Sequence, residues 1–253
     1  MTTKKKEEPT QTVQVARMTM GMVHLRIVGS TPLIQNKMSG KVKRGLLLGS
    51  KKKTAAERNE IKHHPFEEML DATEVMMTGP TAIGLRTVAL KAAMCTAALE
   101  TGGIKKTQAQ RLLFMPGEMA PVWGIPKLRM DVVRSADINR TPDVRTRPIL
   151  ERWCAEFDVK FARPALSAVD VINLLSNAGE LIGVGDGRQE KGKFAFGSFR
   201  VLMDGDDDEE WNEIVAEGAR DAQLAALNEP ECYDSEAREL LAFYEDEVNR
   251  RAA

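Results

Sequence analysis

LIGVGDGRQEKGKFAFGSFRV, running from Leu181 to Val201, is the stretch on which the fold turns. Five glycines (Gly183, Gly185, Gly187, Gly192 and Gly197) stand among Asp186, Arg188, Lys191 and Lys193, and the segment closes in an aromatic run of Phe194, Phe196 and Phe199. Glycine gives up more conformational freedom on folding than any other residue, so such a cluster marks backbone that takes φ > 0 or lies against a ligand or another backbone. GVGDG resembles GxGxxG only superficially. The dinucleotide fingerprint needs a strand before its glycines and a helix after them, and here a helical pattern precedes and a strand pattern follows. The segment therefore reads as a basic, glycine-rich loop joining a helix to a strand.

Working outward, Ser167 caps a helix running to Ala178, with Asp170 completing a capping-box start and Val171, Ile172, Leu174 and Leu175 on its buried face. WCAEFDVKF, from Trp153 to Phe161, alternates as a strand, and so does MVHLRIVG, from Met22 to Gly29, with Val23, Leu25 and Ile27 on one face. Phe194 to Met203 is the last strand, and at least two of its three phenylalanines are expected in the core. Arg86 to Glu100 reads as an alanine-rich helix burying Val88, Ala92, Cys95 and Leu99, and Pro65 opens a shorter one through Met76. Leu112 to Met115 and Met119 to Trp123 read as strands about the Pro116-Gly117 turn.

The order strand, helix, strands, strand, helix, strand predicts an α+β fold. Its form is a ferredoxin-like, RNA-recognition-like antiparallel sheet with two packing helices. Residues 1–21 are a polar arm, 22–203 the nucleic-acid-binding domain, and 204–253 an acidic tail with helices expected over Glu209 to Leu227 and Ser235 to Arg251. Two basic insertions interrupt the domain. Residues 33–62 carry nine Lys and Arg against two Glu and read as a long cationic loop. Residues 128–152 are arginine-rich and fit either a β-hairpin or a partly ordered excursion.

The net charge of −1 conceals a split: residues 1–203 hold 32 Lys and Arg against 20 Asp and Glu, while 204–253 hold 4 against 17. A basic body with an acidic tail suggests a polyanion-binding surface plus a segment that competes with the polyanion, recruits a protein partner or only aids solubility. Three scattered cysteines form no CxxC pair and no disulfide framework. With no apolar leader and no run of about 18 apolar residues, neither secretion nor membrane spanning is expected, and a reducing cytoplasm is the default.

Catalytic signals are weak. No GxSxG, HExxH or Walker lysine motif occurs. His24 alternates to the polar face of its strand, and His63-His64 has no second pair of ligands nearby for zinc. No enzyme activity, metal or cofactor is expected. Nucleic-acid binding is better supported, since phosphate affinity needs several cations on one surface and backbone N–H groups that approach closely. The expected contacts are Lys37, Lys41, Lys43 and Arg44 in the first insertion, Arg134, Arg140, Arg145 and Arg147 in the second, and Gly185, Gly187, Arg188, Lys191, Gly192 and Lys193 in the loop. Outward phenylalanines there would stack on bases.

These features resemble a known family. The helix, the glycine-rich loop (Gly183-Val184-Gly185, then Gly192 to Gly197) and the closing strand are similar to those of the RAMP superfamily of CRISPR-associated RNA-binding proteins, especially the backbone subunits that polymerise along guide RNA. IVGSTPLIQNKM (Ile27 to Met38), RTRPILERW (Arg145 to Trp153) and AGELIGVGDGRQEKGKFAFGSF (Ala178 to Phe199) also look like a set of small bacteriophage and prophage proteins. The resemblance spans roughly residues 22–203. It implies a palm with finger- and thumb-like insertions, single-stranded DNA or RNA as partner, little sequence preference, oligomerisation along the strand, and the host cytoplasm as location for a phage protein. RAMP ribonucleases use a His, or in some backbone subunits an Asp in the loop after the first strand. Gly29 to Met38 contains neither. The alternatives are a phage assembly protein whose basic body meets acidic partners, and a nuclease.

Overall fold

A computed structural model describes residues 17–48, 61–134, 142–191, 194–203 and 205–252. The chain is α+β with antiparallel sheets. The main sheet is built from β1 (Thr19–Gly29), β3 (Gly84–Arg86), β4 (Leu113–Phe114), β5 (Met119–Trp123), β8 (Cys154–Arg163) and β9 (Phe199–Leu202). Its order is β3-β5-β8-β1-β9, with β4 also pairing β8. Alternation in β1 and β8 sets the register, pairing Leu25 with Phe157 and Ile27 with Ala155. Because paired residues share a face, these four form one apolar surface. On that surface lie α3 (Thr87–Thr101) and α5 (Ala168–Leu181), which also pack on each other. Ser167 and Asp170 form the expected reciprocal cap of α5, with Ser167 N–H donating to Asp170 Oδ2 at 2.7 Å.

The second insertion is a hairpin. β6 (Pro126–Arg134) and β7 (Pro142–Leu150) pair in unbroken register, and β2 (Leu33–Ile34) extends them into a three-stranded sheet. The first insertion is not one uninterrupted loop, since β2 and α1 (Gly40–Leu48) lie within it. The helix begun by Pro65, α2 (Pro65–Ala72), stops short of Met76 because Thr73 turns extended, its hydroxyl donating to the Met69 carbonyl. A further helix, α4 (Lys106–Leu112), precedes β4. β4 and β5 pair β8 rather than each other.

The buried face of α3 differs from the one expected. Cys95 is buried as expected, but Ala92 is exposed, Val88 and Leu99 are 62% and 60% exposed, and Leu90, Ala93, Met94, Ala97 and Ala98 are buried in their place. The helix is apolar on every side, so spacing alone does not choose a face; the bulk of Leu90 and Met94 against the sheet does. The last strand is also shorter than expected. Phe199 is 1% exposed in β9, whereas Phe194 and Phe196 precede the strand, and Phe194 is 55% exposed. Two of the three rings thus lie outside the core.

The acidic segment folds as α6 (Glu209–Glu217), α7 (Arg220–Asn228) and α8 (Ser235–Ala252). It is knit into the body. Trp211 and Ile214 of α6 bury against Val28, Trp123, Cys154 and Leu202 on the face of the main sheet opposite α3 and α5. Burying two such side chains stabilises by roughly 3–6 kcal/mol. Gln223 of α7 is fully buried, its amide oxygen accepting from Ala82 and Ile83 N–H and its amide nitrogen donating to the Val122 and Gly124 carbonyls. Carboxylates of α6 and its approach also neutralise body arginines: Arg200 pairs with Asp208 and Glu210, and Arg152 with Glu213.

Candidate nucleic-acid interface

The glycine loop is held by main-chain bonds to the segment after β1 and across its own neck. Gly197 N–H donates to the Pro32 carbonyl at 2.8 Å, Asp186 N–H to the Ile34 carbonyl at 2.8 Å, and Val184 N–H to the Gly197 carbonyl at 2.9 Å. Gly185 and Gly197 have φ of 81° and 69°, and a Cβ at either would run into a carbonyl, of Ile34 or of Val184. At these two positions the close approach that demands glycine is made by the chain's own backbone.

Asp186, at the centre of the loop, is the hub of a clamp. Its carboxylate accepts from Arg147 Nη1 at 2.7 Å, Asn36 Nδ2 at 2.7 Å and Gly187 N–H at 3.0 Å. Burial pushes this carboxyl up, but the charge and hydrogen bond of Arg147, with Asn36 and Gly187 N–H, hold it below the usual carboxylate range. Arg147 is bonded on its other side to Asp131, and its side chain is only 7% exposed. This arginine joins the hairpin to the loop and has no face left for phosphate.

Beside the clamp, Phe194 and Phe196 stack on each other with centroids 5.8 Å apart and planes 25° from parallel. Arg129 lies over Phe196 at 5.2 Å and over Tyr233 at 5.5 Å. On the other side of the loop a cleft of about 510 Å³ opens between the alanine face of α3 (Ala89, Ala92, Ala93) and residues 182–186. Lys37, Arg86, Lys106, Arg188 and Lys191 border it. Arg188 pairs with Glu190 at 3.0 Å and Arg86 with Glu74 at 2.7 Å. Glu190 lies below its usual range; burial opposes this and the hydrogen bond and charge of Arg188 outweigh it. Lys106 donates to the Thr96 hydroxyl, and Lys37 makes a long bond to the Thr73 carbonyl.

The fold therefore brings together Lys37, Gly185, Arg188 and Lys191 of the expected contacts, with Gly187 packed on Phe196. Arg145 and Arg147 line a neighbouring groove that shares Lys37. Lys43 and Arg44 are exposed on α1, and Arg134 is exposed at the end of β6; none of the three lines the cleft. Arg140, Gly192, Lys193 and the side chain of Lys41 fall outside the described residues. Sequence reasoning missed Arg86 and Lys106, which no local pattern singles out, and the ring contacts of Arg129.

The histidines are engaged with carboxylates or a hydroxyl: His24 with Asp158 at 2.9 Å, His63 with Glu68 at 2.9 Å, and His64 with Tyr244 at 3.3 Å. Among the described residues no group of three or more His, Cys, Asp or Glu is placed to hold a metal ion, and no helix is long and apolar enough to cross a membrane. Compared with known protein families and with curated protein sequences, the chain matches neither a family nor a curated protein.

Proposed function

We propose that this protein binds single-stranded nucleic acid with little sequence preference and without catalysing a reaction on it. Bases stack on Phe194 and Phe196, and phosphates follow the loop toward Arg188, Lys191, Lys37, Arg86 and Lys106. The observation that carries this reading is Phe194, 55% exposed and stacked on the half-buried Phe196 beside Arg129, on a loop whose other side borders a cation-rimmed cleft. A ring left in water at a basic loop offers a π-face to any base, which gives affinity without sequence readout. Arg147 is not among the phosphate ligands because Asp131 and Asp186 already occupy its guanidinium.

The strand order supports the finer fold reading. β1 and β5, joined through α3, are separated in the sheet by β8, and β8 and β9, joined through α5, are separated by β1. That interleaving fits a ferredoxin-like, RNA-recognition-like core. Self-association along the strand, expected from the resemblance to RAMP backbone subunits, belongs to the same proposal.

The test is fluorescence anisotropy with labelled oligothymidylate, oligouridylate and duplex across a salt series. Single strands are expected to bind more tightly than duplex. Arg188→Ala with Lys191→Ala should lower the steepness of log K against log salt by about 1.4, roughly 0.7 for each phosphate no longer neutralised. Phe194→Ala should weaken binding about fivefold or more with no loss of thermal stability. Equal binding by wild type and Phe194→Ala, or no salt-dependent binding of single strands, overturns the reading.

A further inference from the structure

The unpaired edge of β7 carries a second binding feature, independent of the nucleic-acid reading. β2 covers only Ile149 and Leu150, and the last main-chain bond on that side is Gln35 N–H donating to the Pro148 carbonyl at 3.2 Å. Beyond it the neighbouring chain turns away, and Lys37 N–H donates to the Ala72 carbonyl instead. In an antiparallel ladder successive residues aim their N–H and C=O groups alternately to the two sides. The Pro148 carbonyl faces β2 and the β6–β7 register is unbroken, so Thr146 and Val144 aim their main-chain groups at this same edge. No described residue pairs with them there.

A groove of about 420 Å³ runs along the edge. Five consecutive residues, Asp143 to Arg147, line it, which a strand offers only at its edge because neighbouring side chains leave by opposite faces. The opposite wall is the non-helical segment Asn36 to Ser39, with Val42 and Ala72 adding apolar surface. Thr146 is 3% exposed, yet its hydroxyl has no hydrogen-bond partner, and neither has Arg147 Nε. The two side chains leave the strand by opposite faces, and only the Thr146 hydroxyl is on the face away from Arg129. The anions of the groove are already engaged, Glu68 by His63 and Asp143 by Lys62 and His63. Arg145 makes no ion pair among the described residues, and Lys37 has only its long bond to Thr73.

We propose that this groove accepts an extended acidic peptide segment of a protein partner, which pairs with Val144 and Thr146 as an added β-strand while its carboxylates meet Lys37 and Arg145. A strand edge without main-chain partners is a template for such addition, with the main-chain ladder giving affinity and the flanking side chains giving selectivity. A nucleic-acid strand supplies anions for the two cations but no alternating amide N–H and C=O for the ladder. The five-residue edge spans roughly 13 Å, enough for a four- or five-residue segment.

The test uses isotope-labelled full-length protein titrated with a capped pentapeptide of alternating glutamate and valine. The expected result is movement of the Val144 and Thr146 amide resonances, with affinity about tenfold lower for the same peptide N-methylated at alternate positions, which removes its ladder donors. Val144→Pro deletes an edge-facing N–H without touching the β6 ladder and should abolish the response. Arg145→Glu keeps the edge intact and should reverse the preference toward a lysine-valine peptide. Equal binding of the methylated and unmethylated peptides, or no shift at these amides, overturns the proposal. So does a shift of both amides by oligothymidylate but not by peptide, which would assign the groove to nucleic acid.

Discussion

Replacing Asp186 by alanine probes the join between the glycine loop and the hairpin. The substitution removes three hydrogen bonds to one carboxylate, from Arg147, Asn36 and Gly187 N–H, and leaves the buried Arg147 guanidinium with Asp131 alone. Removing one partner of a fully buried ion pair costs about 3–5 kcal/mol. The Asp186 side chain is 36% exposed, so water takes over part of its role, and the expected loss is about 2 kcal/mol. In a chain of this size that lowers Tm by roughly 4–8 °C. Acidification supplies a second readout. The folded-state pKa of Asp186 is depressed, so its contribution is present above the unfolded value near pH 4 and is lost as pH falls through the folded value. Urea unfolding of wild type and Asp186→Ala should therefore show a constant gap from pH 7 to about pH 5 that narrows below about pH 4. A gap under about 0.5 kcal/mol at pH 7, the scatter of ordinary surface substitutions, refutes the clamp. So does a gap that acid leaves unchanged.

Gln223→Ala leaves two buried N–H groups and two buried carbonyls without their partner and should cost about 3 kcal/mol or more in denaturant unfolding, although it lies in the acidic segment. Gly197→Ala places a Cβ against the Val184 carbonyl at a φ of 69°; it should lower Tm and perturb the Phe194 and Phe196 ring resonances together. Burial, with the nearby charges of Glu156, Glu210 and Asp208, pushes the Cys154 thiol up to about 12. Thiol titration of the native protein at pH 8 should leave Cys154 unmodified until denaturant is added, and modification before unfolding would contradict the seal made by Trp211 and Ile214.

The docked acidic helices also change how the charge split is to be tested. Removing residues 204–253 would uncover Val28, Trp123 and Leu202 and strip Gln223 from four backbone groups, so a truncation measures unfolding before it measures competition for nucleic acid. Neutralising Asp208 and Glu210 while keeping Trp211 and Ile214 frees Arg200 with the packing left in place.

Legibility in the sequence tracked the range of the forces involved. The alternation of β1 and β8, the Ser167–Asp170 cap and the antiparallel α+β character arise from neighbours a few residues apart, and all could be read directly. The cleft mixes both kinds of information. Arg188 and Lys191 announce themselves beside glycines, while Arg86 at the end of β3 and Lys106 at the start of α4 reach the same cleft from far upstream and carry no local mark. The inward face of α3 was unreadable for a different reason, since an alanine-rich helix offers several apolar faces and only the sheet beneath selects one.

By itself the sequence determined the strands β1 and β8, the capped start of α5, the charge split and the need for φ > 0 at the glycine loop. Tertiary structure decided what those features do. It set the acidic segment against the sheet, turned Phe194 outward, and took Arg147 out of solvent into a clamp whose Asn36 and Asp186 stand 150 residues apart in the chain. The physical reason is that hydrophobic periodicity and capping act between near neighbours in the chain, whereas desolvation and ion pairing depend on which distant groups the topology brings within about 3 Å.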